Sequence, residues 1–180
     1  MDTDIKKILS ESECIYTERQ INSSIEELAK KIEEKTYSLN PLIVPILDGA
    51  VMFSAVLLKH FSFPFDVDYM HLTRYRGTTV GSSLEWKKKP TMIIENRNVV
   101  IVDDIFDEGY TLSEAAQYCR NKNAKNVLTV VLALKERNRN NDNNLPDYYA
   151  LKVPDRYVFG FGMDYKNNYR DLSSIYALNE

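Results

Sequence analysis

The residues with the clearest chemical potential are three aspartates that fall within five positions of the chain. Asp103, Asp104 and Asp107 follow directly after the apolar run "VVIV" at residues 99–102. Two carboxylates about 6 Å apart repel each other by roughly 3 kcal/mol at an effective dielectric of about 20. A buried strand that ends in such a group needs something to offset the repulsion. A divalent cation or the hydroxyl groups of a sugar would do so.

The same turn has features that favour an anion. Gly109 permits a tight backbone turn, and Thr111 stands where the sequence predicts the start of a helix. A helix N-terminus offers N–H groups and a favourable dipole to a phosphate. A phosphorylated ribose with a divalent cation would use both halves of the turn. The simpler alternative is an acidic turn in which Thr111 and Glu114 only cap the helix.

Alternating strand and helix patterns must position this turn. Apolar periodicity predicts a helix that begins at Ser24, with Glu27 completing a capping box, and another that follows the acidic turn. A further helix is predicted over residues 51–61, and strands or apolar runs over residues 41–47, 65–73, 99–106, 127–134 and 156–164. This order predicts an α/β fold with a mainly parallel sheet. In such sheets ligands bind beyond the carboxyl ends of the strands, where the three aspartates lie.

The composition is that of an ordinary globular protein of 180 residues, 44% hydrophobic and 27% charged. That length suits a single domain over residues 1–180. The net charge of −3 argues against a general nucleic-acid-binding protein. The polar N-terminal residues predict no signal peptide, and the apolar stretches are too short for us to expect a membrane span. Cys14 and Cys119 belong to no C-x-x-C pair, which indicates two reduced thiols in a cytoplasmic protein.

Three segments resemble a known family. The segment "VVIVDDIFDEGYT" (residues 99–111) resembles the phosphoribosyl-pyrophosphate signature of type I phosphoribosyltransferases. "ILDGA" (residues 46–50) matches the position of their pyrophosphate loop, and residues 151–178 look like the C-terminal part of hypoxanthine-guanine phosphoribosyltransferases. The resemblance covers residues 42–178. It implies a type I phosphoribosyltransferase-like core with a mainly parallel sheet flanked by helices. It also implies a small hood from the N- and C-terminal segments (the latter at about residues 145–180) and a mobile lid loop at about residues 73–90.

The implied activity is purine salvage by a transferase. Hypoxanthine or guanine would react with phosphoribosyl pyrophosphate to give IMP or GMP and pyrophosphate, with Mg²⁺ as the cofactor. The expected partners are therefore these small molecules, with no nucleic acid and no membrane. The family also implies a homodimer or homotetramer.

The resemblance assigns roles residue by residue. Asp107 is the candidate general base, which would take or share the purine N7 proton as N9 attacks. The ribose and 5′-phosphate contacts fall to Asp103, Asp104, Asp107, Glu108, Gly109, Tyr110 and Thr111. The purine contacts fall to Lys135, Tyr157, Val158 and Asp164, and the pyrophosphate contacts to Leu47, Asp48, Gly49 and Arg170. The metal ligands would be Asp103, Asp104 and Asp164.

The sequence departs from the family pattern at two of these positions. Glu108 stands where many relatives carry Thr in the phosphate loop, and Asp48 stands where several carry a basic residue. Both changes add negative charge beside a site for phosphates. The family often has a non-proline cis peptide at the pyrophosphate loop.

Simpler interpretations exist for individual residues. Asp107 could bond the backbone of its own turn, Lys135 could be solvated, and Asp164 with Arg170 could be a surface ion pair. The purine-contacting aromatic and aliphatic residues could belong to the core. For function, the alternatives are a phosphoribosyltransferase for adenine or xanthine and a non-catalytic regulator on the same fold. Lys135 favours a 6-oxopurine, because adenine presents a 6-amino donor of its own.

Overall fold

The computed structural model describes residues 2–74, 84–137 and 145–179, with side chains from residue 6 onward except at residue 74. Four helices and ten strands are described in these ranges. In chain order they are α1 (Asp2–Ser10), β1 (Ser12–Tyr16), α2 (Glu18–Thr36), β2 (Leu42–Leu47), α3 (Ala50–Leu58), β3 (Asp66–Val67), β4 (Met70–Arg74), β5 (Leu84–Lys88), β6 (Asn98–Phe106), α4 (Tyr110–Asn121), β7 (Asn126–Lys135), β8 (Tyr148–Val153), β9 (Val158–Phe159) and β10 (Ile175–Leu178).

A seven-stranded sheet positions the acidic turn. Its order is β5-β4-β2-β6-β7-β8, with β3 added to β2. Only the β4–β5 pair is antiparallel among the described pairs of this sheet. The predicted α/β fold with a mainly parallel sheet is therefore confirmed. Because β2 and β6 are parallel neighbours, the segments that follow them emerge side by side at the carboxyl edge.

Strand β6 is buried on both faces. Val100 and Val102 pack in a core cluster with α2 and α3, whereas Val99 and Ile101 pack in a second cluster with α4. Successive side chains of a strand point to opposite faces. Asp103 and Asp104 follow in the same strand, so β6 carries both acids towards its carboxyl end.

A small second sheet forms the hood. β1, β10 and β9 pair antiparallel in that order, which joins the N-terminal segment to the C-terminal one as predicted. Ile175 and Ala177 of β10 enter the same core cluster as α2 and α3. Within the predicted run 156–164 only Val158–Phe159 is a strand, because Gly160 and Gly162 take φ values of 95° and 98° and turn the chain.

The predicted start of the second helix is wrong. α2 begins at Glu18, six positions before Ser24. The backbone N–H of Thr17 donates to the Gln20 side chain at 2.9 Å, which supplies a cap that the sequence prediction placed at Ser24 and Glu27. The predicted apolar stripe of this helix is buried as expected.

The predicted cap of α4 is also wrong. The helix begins at Tyr110 after Gly109, whose φ of 81° lies in the left-handed region. Thr111 and Glu114 therefore lie inside the helix. The Glu114 carboxylate accepts a hydrogen bond from the Trp86 indole at 3.3 Å, which ties β5 to α4.

Other predicted elements are confirmed with shifted ends. The helix predicted over residues 51–61 is α3, and the strand predicted over residues 65–73 is divided into β3 and β4. The lid predicted at residues 73–90 begins in β4 and includes β5, while residues 75–83 lie outside the described part of the chain.

Cys14 is exposed, Cys119 is buried, and both are free thiols. None of the four described helices is both long and apolar enough to cross a membrane.

Asp68 secures the base of the β4–β5 hairpin. Its buried carboxylate accepts backbone N–H bonds from Tyr69, Thr91 and Met92 at 2.8, 2.5 and 2.8 Å, and Lys88 Nζ lies 3.3 Å away. Burial by itself would raise the pKa of Asp68. The three N–H donors and Lys88 outweigh that effect and hold the pKa well below its usual range.

We expect Asp68→Asn to lower the free energy of unfolding at pH 7 by about 1–3 kcal/mol, because the amide leaves buried donors poorly satisfied. The folded pKa of Asp68 lies below the unfolded value of about 3.9. Its stabilisation is therefore present above pH 4 and is lost as the pH falls towards the folded pKa. Urea titrations at pH 7 and pH 3 measure both effects, with the exposed Asp171→Asn as the matched control. Equal stability of wild type and Asp68→Asn at pH 7 would rule out this role.

Candidate active site

A cleft of about 660 Å³ lies at the carboxyl edge of the seven-stranded sheet. It is bordered by the turn after β6, the loop after β2, the two arms of the β4–β5 hairpin and the segment after β9. The predicted site residues that line it are Leu47, Asp48, Gly49, Asp103, Asp104, Asp107, Glu108, Gly109, Thr111, Asp164 and Arg170. Thus all three segments that carry the family resemblance meet in one place.

The loop after β2 is packed directly against the acidic turn. The Leu47–Asp48 peptide bond is cis. Gly49 follows it and precedes α3, and a Cβ atom there would overlap the carboxylate of Asp104. Only glycine allows this backbone and this carboxylate to share the edge of the cleft.

Asp103 and Asp104 are a pair of adjacent acids, of which Asp103 is buried and Asp104 is half-buried. Asp103 Oδ1 accepts the Asp104 N–H at 3.0 Å, and Asp104 Oδ1 accepts the Ile105 N–H at 2.7 Å. Burial raises the pKa of Asp103 well above its usual range, and the neighbouring charge of Asp104 raises it further. Burial also raises the pKa of Asp104, although the Ile105 N–H and the positive charge of Arg170 oppose the shift. The pair therefore favours a ligand that replaces lost hydration or supplies positive charge.

The turn after the acid pair brings the start of α4 to the cleft. Two features require glycine at position 109: its φ is 81°, and an added Cβ would press against the Phe106 ring. Gly109 and Thr111 line the cleft together with the exposed Glu108. Tyr110 is 58% exposed and is not among the residues that line the cleft.

Asp107 lies between two cations at the end of β7. Its Oδ2 is 3.4 Å from Lys135 Nζ, and its Oδ1 is 2.9 Å from a terminal nitrogen of Arg137. Asp155 Oδ1 contacts the same two cations, Arg137 Nε at 2.6 Å and Lys135 Nζ at 3.8 Å. The Asp155 carboxylate raises the pKa of the Arg137 guanidinium, which stays charged. Lys135 is 9% exposed, so its interpretation as an ordinary solvated lysine is not supported.

The C-terminal residues meet the cleft through an ion pair. Arg170 donates to Asp164 Oδ1 at 2.9 Å and to the carbonyl oxygen of Gly162 at 2.5 Å. Asp164 and Arg170 therefore form the ion pair of the simpler interpretation. They also line the cleft. The Tyr157 hydroxyl donates to the Asp164 carbonyl at 3.1 Å, and Val158 is buried in β9. Neither Tyr157 nor Val158 is among the lining residues.

The predicted metal ligands fit Mg²⁺ only in part. Across the described residues, no three side chains of His, Cys, Asp or Glu lie close enough to hold one ion. Asp103, Asp104 and Asp164 are thus not a preformed three-carboxylate site. The adjacent carboxylates of Asp103 and Asp104 remain suitable, because Mg²⁺ commonly takes one or two carboxylates and completes its coordination with substrate phosphates and water.

Several residues of this region were not predicted from the sequence. His71, Glu85, Lys87 and Asn167 also line the cleft. His71 aligns with Leu47 in the parallel β2–β4 pair, so the rule that ligands bind at strand ends could have found it. Arg137 and Asp155 carry no local signal, since their importance depends on contacts between distant segments.

We expect Asp103→Asn to be more stable than the wild type at pH 8, in buffer without divalent cations, by on the order of 1–2 kcal/mol. The wild-type protein must ionise a buried carboxyl group whose folded pKa lies above its unfolded value. That penalty grows as the pH rises through the folded pKa and is absent at pH 3.5 and below, where the carboxyl group is mostly protonated in both states. Urea titrations at pH 8 and pH 3.5 measure the difference, and the exposed Asp171→Asn is again the control. A variant less stable than the wild type at pH 8 would contradict this account.

Comparison with known proteins gives one consistent result. The family model described as phosphoribosyl transferase domain matches residues 12–168. The chain is 34% identical over 181 aligned positions to the hypoxanthine-guanine phosphoribosyltransferase of Streptococcus mutans, covering 100% of this chain and 97% of that protein. It is 32% identical to the enzyme of the same name from Bacillus subtilis, covering 99% and 96%. A solved hypoxanthine-guanine-xanthine phosphoribosyltransferase superposes with a TM-score of 0.84 at 31% identity, covering 93% of this chain and 97% of the other. The chain therefore belongs to the phosphoribosyltransferase family and is related over its whole length to the hypoxanthine-guanine enzymes within it.

Proposed function

We propose that the protein transfers the 5-phosphoribosyl group of phosphoribosyl pyrophosphate to N9 of hypoxanthine or guanine in purine salvage. The observation that carries this proposal is the meeting of the acidic turn, the pyrophosphate loop and the Asp164–Arg170 pair in one cleft. Full-length similarity to enzymes named for this activity supports the same conclusion.

The donor would occupy the part of the cleft nearest β2 and β6. Asp103 and Asp104 would accept hydrogen bonds from the ribose hydroxyls, which relieves the repulsion between the two acids. Residues 108–111 would surround the 5′-phosphate at the start of α4. Leu47, Asp48 and Gly49 would contact the pyrophosphate through their backbone, and the Arg170 guanidinium would donate to its oxygens.

The purine would be recognised near the end of β7. Lys135 would donate to the exocyclic oxygen of a 6-oxopurine, and Tyr157 would stack on the ring. Val158 and Asp164 would contact the opposite edge of the base. As N9 bonds to the anomeric carbon, the bond from that carbon to pyrophosphate breaks and its electron pair leaves on the pyrophosphate oxygen. Asp107 would take or share the N7 proton during this step.

Mg²⁺ fits the acid pair and would neutralise the negative charge of the leaving pyrophosphate when bound. Asp103 and Asp104 are the residues of this chain best placed to hold it, and Asp164 lines the same cleft. The reducing environment implied by two free thiols supports a cytoplasmic enzyme.

Helix α3 supports assembly into a homo-oligomer. Its sequence "AVMFSAVLL" contains only one polar residue, Ser54, yet Val51 and Met52 are 47% and 39% exposed. A helix that is apolar around its whole circumference is normally covered on every side. We propose that a second copy of the chain covers the outward side of α3.

The proposed activity is tested by turnover of the purified protein with Mg²⁺ and phosphoribosyl pyrophosphate, with each of four bases in turn. We expect nucleotide formation from hypoxanthine and guanine and little from adenine, because Lys135 would face the 6-amino group of adenine donor to donor. Turnover of xanthine would widen the specificity, and turnover of adenine would overturn the assignment of Lys135. Donor binding without turnover of any base would indicate a non-catalytic regulator.

Asp107→Asn should lose most of this turnover, by about 100-fold or more, while nucleotide binding is retained, because the amide cannot accept the purine proton. Single-turnover rates and calorimetric binding of GMP separate the two properties. A parallel loss of GMP binding would count against a general-base role.

For the assembly, we expect Val51→Glu to shift the protein towards monomer without unfolding it, since a charge would be buried in the proposed contact. Light scattering gives the molar mass, and circular dichroism reports the fold. Lys122→Glu on the end of α4 is a control that adds negative charge elsewhere. An unchanged molar mass for Val51→Glu would contradict the placement of the contact on α3.

A further inference from the structure

The contacts around Asp107 form a closed ring of four charged side chains. Asp107 and Asp155 are the two acids, and Lys135 and Arg137 are the two bases. Each acid contacts both bases, at distances from 2.6 to 3.8 Å. Two members of the ring, Asp107 and Lys135, are the residues that the proposed function assigns to the purine. The other two have no role in it so far.

Of the two cations, Arg137 makes the shorter contacts with the acids. Its guanidinium places Nε on Asp155 at 2.6 Å and a terminal nitrogen on Asp107 at 2.9 Å, whereas both contacts of Lys135 are longer, at 3.4 and 3.8 Å. A planar guanidinium can bridge two carboxylates in a fixed geometry, which the single ammonium of lysine cannot do. Arg137 therefore forms an ion pair with Oδ1 of Asp107, and Lys135 approaches the other oxygen, Oδ2.

Binding of a 6-oxopurine places a demand on this ring. Lys135 must direct one of its N–H donors to the purine oxygen. Its ammonium group is then less available to Asp107 and Asp155. With Arg137 in place, both acids keep a cationic partner. Without it, the two acids would compete for Lys135 and hold it away from the purine, and the Asp107 carboxylate would lose its ion pair at Oδ1.

We propose that Arg137, anchored by Asp155, is a positioning residue for purine recognition: it holds Asp107 by one oxygen so that Lys135 and the other oxygen serve the purine. This inference rests on the proposed function, because it assigns Arg137 a part in that reaction. The alternative is that Arg137 only offsets the charge of Glu108, whose Oε1 lies 3.9 Å from it.

The test compares Arg137→Gln and Arg137→Lys with a matched arginine elsewhere. Arg97 also pairs with an aspartate, Asp66, at 2.8 Å, and it precedes β6 at the edge of the sheet opposite the cleft, so Arg97→Gln is the control. For Arg137→Gln we expect kcat to fall on the order of tenfold to a hundredfold and KM for hypoxanthine to rise, with KM for the donor unchanged. Arg137→Lys should recover part of kcat, and Arg97→Gln should leave both constants unchanged.

Binding gives a readout that does not depend on turnover. In calorimetry, Arg137→Gln should weaken GMP several-fold and leave ribose 5-phosphate unaffected, because only GMP carries a purine. If the wild type binds GMP without catalysing the reaction, the proposed function fails. The GMP affinities of the wild type and Arg137→Gln then test the role of Arg137 by themselves. If the wild type does not bind GMP, both proposals fail.

Two results would overturn the positioning role. One is a kcat and a GMP affinity for Arg137→Gln that equal those of the wild type. The other is a change confined to KM for the donor that disappears in a Glu108→Thr background, which would show that Arg137 only offsets the charge of Glu108. Thermal melts of all variants exclude loss of fold as the cause.

Discussion

Two adjacent carboxylates near the end of one strand, Asp103 buried and Asp104 half-buried, set the conditions for the rest of this structure. Asp103 and Asp104 extend β6 beyond its apolar part, and burial raises the pKa of both groups. The surrounding segments each accommodate this pair. Gly49 leaves room for the Asp104 carboxylate, and Arg170 brings positive charge from the C-terminal segment. Such an arrangement weakens the isolated fold and is typical of a binding site.

The parallel order of β2, β6 and β7 explains how segments far apart in sequence reach these acids. The three strands are neighbours in the sheet, so their carboxyl ends deliver the pyrophosphate loop, the acidic turn and Lys135 to one edge. The segment between β9 and β10 closes the cleft from the hood side and contributes Asp164 and Arg170. In the proposed function, the loops after β2 and β6 would therefore contact the donor, and the end of β7 would contact the purine.

Features that depend on local sequence could be predicted, and features that depend on distant contacts could not. The acidic turn, Gly49 and Gly109 were found because their chemistry or backbone freedom is visible in a few residues. The start of α2 was misplaced because Thr17 with Gln20 and Ser24 with Glu27 are equally plausible capping pairs. Burial of Ile21 favours the earlier pair, because it extends the packed face of α2 towards its N-terminus. Arg137 and Asp155 stayed hidden because each is an ordinary charged residue until β7 and the hood segment bring them together at Asp107.

Burial makes Asp103 and Asp104 harder to ionise in the protein alone, and a ligand that supplies positive charge or hydrogen bonds would oppose that effect. Nuclear magnetic resonance of ¹³C-labelled aspartate carboxyl groups, titrated with and without Mg²⁺ and phosphoribosyl pyrophosphate, tests it directly, and the Asp103→Asn spectrum assigns the signal. We expect the Asp103 carboxyl group of the protein alone to titrate well above the ordinary aspartate value of about 3.9, and to remain ionised over the same pH range once the donor is added. Titration of every aspartate near or below the ordinary value, or an Asp103 signal that ignores the donor, would contradict the account.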